Sequence, residues 1–105
     1  MHRLIQEHRD EIGRLCRLYG VRRLEAFGSV ARGLDFDPGS SDADFLVTFE
    51  GSSEQSGLGR FLGLADALEA LLGRPVDLVE RRTVEASRNY IRQRSILADA
   101  ETVYG

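Results

Sequence analysis

The chain has no lysine: all fourteen of its basic residues are arginine. A phosphate loop of the Gly-Lys-Ser or Gly-Lys-Thr kind is therefore excluded, and so is Schiff-base chemistry, because both need a lysine amine. Cysteine occurs once, at Cys16, so no internal disulfide can form and a reducing, cytoplasmic setting is expected. Two histidines and that cysteine are too few ligands for a typical structural zinc site. A metal here has to be held mainly by carboxylates, which points to magnesium or manganese. No apolar run approaches the length of a membrane span, and the opening residues do not read as a secretory signal. Excess positive charge is missing too. The net charge of −3 argues against a surface built to embrace nucleic acid.

What is present suits a single domain over residues 1–105, with one modest core and no room for a separate acceptor domain. Apolar residues at Leu4, Ile5, Ile12, Leu15, Cys16 and Tyr19 recur near 3.6 and predict a helix over 2–19, stopped by Gly20. Leu24 to Phe27 reads as a strand running into a turn at Gly28-Ser29, Leu34 to Ser41 as a loop, and Asp42 to Phe49 as a second strand. After a loop over Gly51 to Ser56, helical spacing from Phe61 to Leu72 ends at Gly73 and Pro75. Val76 to Val79 reads as a third strand. Thr83 is placed to cap a last helix over Val84 to Leu97, and Thr102 to Tyr104 as a short final strand. The expected architecture is α/β (α+β): a small mixed sheet with helices on one face.

The chemistry sits in three places. Asp42 and Asp44 lie two apart in a strand, so both carboxylates project to one face while Ala43, Phe45 and Val47 take the other. Two adjacent like charges repel unless a cation lies between them. Asp77 is a lone carboxylate in an apolar strand; if that strand pairs with the first, it completes a triad able to hold two divalent ions. Gly28 removes a side chain where backbone must approach an anion, and Ser29 adds N–H and hydroxyl donors. Arg32 can add charge-assisted bonds to a triphosphate.

Gly28-Ser29, Arg32-Gly33, the run Ser41-Asp42-Ala43-Asp44-Phe45-Leu46-Val47 and the later Asp77 together resemble the DNA polymerase β-type nucleotidyltransferase superfamily. Within it, the short chain is similar to the minimal nucleotidyltransferase (MNT) antitoxins of HEPN/MNT toxin–antitoxin pairs. The resemblance implies that Asp42, Asp44 and Asp77 are metal ligands and catalytic residues for two magnesium ions, with manganese as a substitute. Gly28, Ser29 and Arg32 would hold the phosphates of ATP. It also implies AMP transfer from ATP to a hydroxyl, a tyrosine, of a partner HEPN ribonuclease toxin, within a hetero-oligomer; the net charge adds the expectation of no direct nucleic-acid binding. Twelve residues separate Ser29 from Asp42, more than the family's antitoxins carry, and the extra length falls at the nucleotide entrance.

Other readings of the same residues stand beside this one. Asp42 and Asp44 can be solvated strand-end charges, and Ser29 an ordinary helix cap. A domain that neutralises its toxin by contact alone is the alternative to the enzyme; a small-molecule nucleotidyltransferase lacks its acceptor domain here. Arg81, Arg82, Arg88, Arg92 and Arg94 form a basic cluster that either pairs with Glu80, Glu85 or Asp99 or meets an acidic partner or RNA. Cys16 reads as a core residue, and His2 and His8 carry no assigned chemistry.

Overall fold

The structure, a computed structural model, describes residues 1–33, 42–51 and 57–105. Most of the two loops expected over Leu34–Ser41 and Gly51–Ser56 lies outside the described residues. The opening helical pattern is realised as two helices, α1 (Arg3–Glu7) and α2 (Arg9–Leu18), rather than one. The break is at His8. Its backbone N–H bonds to the Ile5 carbonyl, and its ring bonds to the Leu4 carbonyl at 2.8 Å. The oxygen that a continuous helix would give to the His8 N–H is thus taken by the His8 side chain. His2 caps the same helix, its ring nitrogen accepting the Leu4 N–H at 3.0 Å. Both histidines therefore act locally on the backbone.

Four strands form one mixed sheet in the order β3-β2-β1-β4. They are β1 (Val21–Phe27), β2 (Ala43–Phe49), β3 (Val76–Glu80) and β4 (Glu101–Tyr104). β1 runs antiparallel to β2 and to β4, while β2 and β3 are parallel. A parallel pair needs a long crossover, and α4 (Gly57–Leu72) supplies it. The main core lies on the face shared with α1, α2 and α4, where Ile5, Ile12, Cys16, Leu24, Phe45, Val47, Leu64 and Leu68 are buried. Burial pushes the Cys16 thiol up to about 12, which leaves it a core residue without nucleophilic character.

The mixed α/β class with its main helical layer on one face is what the structure shows. It adds a smaller cover on the reverse face. There Phe27 and Leu46 pack with Val84 and Ile96 from α5 (Arg81–Glu85) and α6 (Tyr90–Asp99). A single helix capped at Thr83 does not form, since Thr83 lies inside α5. α6 is capped instead by Asn89, whose side chain accepts the Arg92 N–H at 3.2 Å, and the Ser87 hydroxyl accepts the Asn89 N–H at 3.1 Å. Short polar side chains that bond nearby backbone offer an alternative to a continuing helix, and here they end one and start the next. Among the described residues no helix is long and apolar enough to cross a membrane.

Candidate active site

Pleating sends Ala43, Phe45 and Val47 of β2 into the main core and leaves Asp44 and Leu46 on the reverse face. Asp44 is flanked across the sheet by Phe27 of β1 and Asp77 of β3, each directly in register with it. The parallel pairing thus brings two carboxylates 33 positions apart in sequence side by side. Asp42 lies one residue before β2, where the ladder opens with the Ala43 N–H bonding to the Pro75 carbonyl at 3.1 Å. Asp44 is half-buried, whereas Asp42 and Asp77 are exposed.

This placement has an electrostatic consequence. The Asp44 carboxyl is raised to about 6, first by burial, then by the neighbouring charges of Asp77 and Asp42, with Arg32 and Arg92 partly offsetting them. A bound cation would relieve both the repulsion and the desolvation. The donor set is all carboxylate oxygen, as magnesium or manganese prefers. Among the described residues no three carboxylate, imidazole or thiol groups already converge on one point, so holding an ion requires the exposed Asp42 and Asp77 side chains to turn toward Asp44.

Gly28 begins α3 (Gly28–Arg32) with φ +67, a left-handed conformation that side chains disfavour. A Cβ built there would lie 2.6 Å from an Asp44 carboxylate oxygen. The sequence suggests that this glycine clears room for a phosphate; in the structure the room is filled by Asp44. Gly28 is therefore coupled to the central carboxylate by contact. Ser29 follows in the first turn, half-buried. The N-cap of α3 is Phe27 and no side chain caps it, so the capping role considered for Ser29 is not realised. Arg32 is ion-paired with Asp99 at the end of α6, which ties α3 to that helix and keeps the guanidinium near Asp44.

Two features escaped sequence reasoning. Arg92 reads as one member of a basic run, yet its charge acts on Asp44. Glu25, only 4% exposed in the middle of β1, receives Arg81 Nη1 on both carboxylate oxygens at 2.7 Å. That hydrogen bond is the main cause holding the Arg81 guanidinium above its usual range. The pair fixes the start of α5 over the reverse face. A lone acid inside the apolar run Leu24-Glu25-Ala26-Phe27 was the available signal.

Residues 9–98 match the nucleotidyltransferase domain family. Over 83 residues the chain is 39% identical to the protein adenylyltransferase MntA of Thermococcus cleftensis, covering 79% of this chain and 76% of that protein. A solved structure assigned as a minimal nucleotidyltransferase superposes with TM-score 0.71 at 34% identity, over 96% of this chain and 95% of that one. A complex of tri-AMPylated Shewanella oneidensis HEPN toxin with an MNT antitoxin shares the fold, with TM-score 0.62 at 20% identity over 96% and 72% of the two chains. With its matched span, its sheet order and its carboxylate corner in view, this chain belongs to the nucleotidyltransferase domain family.

Proposed function

We propose that the protein is an antitoxin that transfers AMP from ATP to a tyrosine hydroxyl of a partner HEPN toxin. The observation that carries this reading is the carboxylate corner: Asp44 in register with Asp77, two residues after Asp42, on a nucleotidyltransferase sheet. The names of its relatives, a protein adenylyltransferase and an AMPylated toxin complex, support the choice of AMP and of a protein acceptor.

Asp42, Asp44 and Asp77 would hold magnesium, which supplies charge neutralisation for the triphosphate and for the departing pyrophosphate. The chain's own groups do the rest. Ser29 offers its backbone N–H and hydroxyl to phosphate oxygens, and Gly28 keeps the Asp44 carboxylate free of a neighbouring side chain. Arg32 and Arg92 add positive charge at the same corner. The acceptor oxygen forms its bond to the α-phosphorus as the bond to the bridging oxygen breaks, pyrophosphate leaves, and the hydroxyl proton passes to a carboxylate. Asp77, exposed at the outer side of the corner, is assigned that proton. Orientation contributes on the order of 7–11 kcal/mol in favourable cases. A docked protein can provide it where a small, freely diffusing acceptor cannot.

The spread positions of the exposed Asp42 and Asp77 favour one rival, neutralisation by contact alone. The test is incubation with ATP, magnesium and the purified product of the adjacent reading frame, followed by intact-mass measurement. One or more AMP additions, lost with chelator and with Asp42→Asn/Asp44→Asn, support the transferase. No addition, with full neutralisation by the double variant, establishes contact alone.

A further inference from the structure

The first turns of α6 are unusual for this molecule. Tyr90 is 68% exposed and Ile91 is 85% exposed, and Ile96 is the one buried residue of the helix. Arg88, Arg92 and Arg94 are exposed beside them. Among the described residues none of these three side chains makes an ion pair or hydrogen bond, whereas Arg81 and Arg82 in the preceding helix are both ion-paired. Residues 86–98 contain three arginines and no acid. The other eleven arginines stand against all seventeen acids, so this stretch is a basic island on an acidic protein. Helical spacing sets Arg94 beside both Tyr90 and Ile91. The result is an apolar pair rimmed by unpaired guanidinium groups, the composition of an interface anchor rather than of a solvated helix face.

Its position matters as much as its composition. α6 borders the carboxylate corner: Asp99 at its far end holds Arg32 of α3, and the charge of Arg92 reaches Asp44. Arg92 and Gln93 also line a cleft of about 190 Å³ between α5 and α6, floored by Val79, Val84 and Ile96. Val79 follows Asp77 by two residues on the same face of β3. A body seated on the start of α6 is thus beside the site, with a small apolar socket between.

We infer that the start of α6, Arg88 to Arg94, is the docking surface for the acceptor protein, and that the matching surface of that partner is acidic around an apolar centre. This inference rests on the protein-acceptor reading above and specifies where that acceptor sits. Arg88 and Arg94, which face no acid, require opposite charge, and Ile91 requires an apolar contact that a nucleic-acid backbone does not offer.

The test uses the full-length protein and the purified product of the adjacent reading frame as probe, with affinity read by calorimetry and transfer read by intact mass. Ile91→Asp/Arg94→Glu should weaken binding of the probe by roughly a hundredfold or more, while ATP affinity and the melting curve stay as in the wild type. Arg88→Ala/Arg94→Ala should weaken it less and flatten its salt dependence. Leu18→Asp, at an exposed apolar residue of α2, should leave it within about threefold, the scatter expected for a site outside an interface. Asp42→Asn/Asp44→Asn should bind normally and transfer nothing, which separates docking from chemistry: normal docking without transfer in the wild type sinks the transferase and spares this surface. Wild-type affinity in both α6 variants, or no binding of the probe by the wild type, overturns the inference. So does an oligouridylate twenty-mer whose binding is lost in the α6 variants while the protein probe still binds, which would make the surface a nucleic-acid one.

Discussion

The two faces of the sheet are built on different principles. The face under α2 and α4 has an apolar centre, with Phe45, Leu24, Leu64 and Leu68 fully buried and the charged Glu80 and Glu101 only at the strand ends. The reverse face carries Asp44, Asp77 and Glu25 among Phe27, Leu46 and Val79, under two short helices. Burial of the first face supplies most of the free energy that holds the strands in register. The second can then keep carboxylates close together and partly desolvated, an arrangement that destabilises the fold locally and suits cation binding. Stability and chemistry are divided between opposite sides of the same strands: Phe45 and Asp44 are adjacent residues serving opposite ends.

The division is sharpest if the largest effects of substitution fall in different assays. Asp42→Asn/Asp44→Asn should lower AMP transfer by about a thousandfold or more, since several kcal/mol of transition-state charge stabilisation is lost. In chelator its urea unfolding should be no weaker than that of the wild type at any pH, and unchanged near pH 4. Leu68→Ala should do the opposite, costing roughly 2–5 kcal/mol in urea unfolding through transfer and cavity terms. Transfer by the remaining folded protein should be intact. A Leu68→Ala protein that folds normally but transfers slowly would break the comparison.

Arg81→Ala tests whether the reverse face also contributes to stability. Glu25 would be left buried without its partner, at a cost of roughly 3 kcal/mol, and Glu25→Leu/Arg81→Met should recover most of it. A smaller effect is expected from Gly28→Ala: about 1–2 kcal/mol from the left-handed backbone, plus a clash with Asp44. In combination with Asp44→Ala the clash disappears, so the double variant should be more stable than the sum of its parts in a double-mutant cycle. Strict additivity would show that Gly28 and Asp44 do not touch.

The smallest effect has a sign set by Asp44 itself. Its carboxyl is raised from 3.8 to about 6, so between those values the native state holds a proton that the unfolded state has released. Stability of the metal-free protein therefore falls as pH rises through that window. Asp44→Asn should melt higher than wild type at pH 8 in chelator, by a few degrees, corresponding to about 1 kcal/mol after solvent screening. The gain should vanish near pH 4. Calorimetric melting across pH 4–8 checks it; a gain independent of pH would contradict the assigned cause.

Legibility in the sequence followed distance along the chain. The alternation around Asp44, the periodicity of α4 and the stop at Gly20 are local signals, and each element appears within a few residues of its expected place. β1 reaches back to Val21 because Val21 and Arg23 pair with Phe49 and Thr48 of β2, a support its own composition does not reveal. The break at His8 and the split of the last helix at Ser87-Arg88-Asn89 depend on single side-chain bonds that compete with the helix, which periodicity does not detect. The site residues are legible as types; their relations are not. Arg32 reads as a phosphate ligand, and only the packing of α3 on α6 gives it Asp99.

By itself the sequence determined the chemistry available: no lysine or second cysteine, arginine as the sole strong base, carboxylates spaced for one strand face, and amphipathic patterns that force a mixed sheet under helices. Those properties depend on residue type and on neighbours a few positions away. The tertiary structure alone decided that Asp77 stands beside Asp44, that Gly28 is pressed on that same carboxylate, that Glu25 is neutralised by Arg81 across 56 residues, and that α6 turns its arginines outward next to the site. The reason is that strand register and helix docking are set by burying the apolar face as a whole, and the positions of the polar groups on the other face follow from that burial.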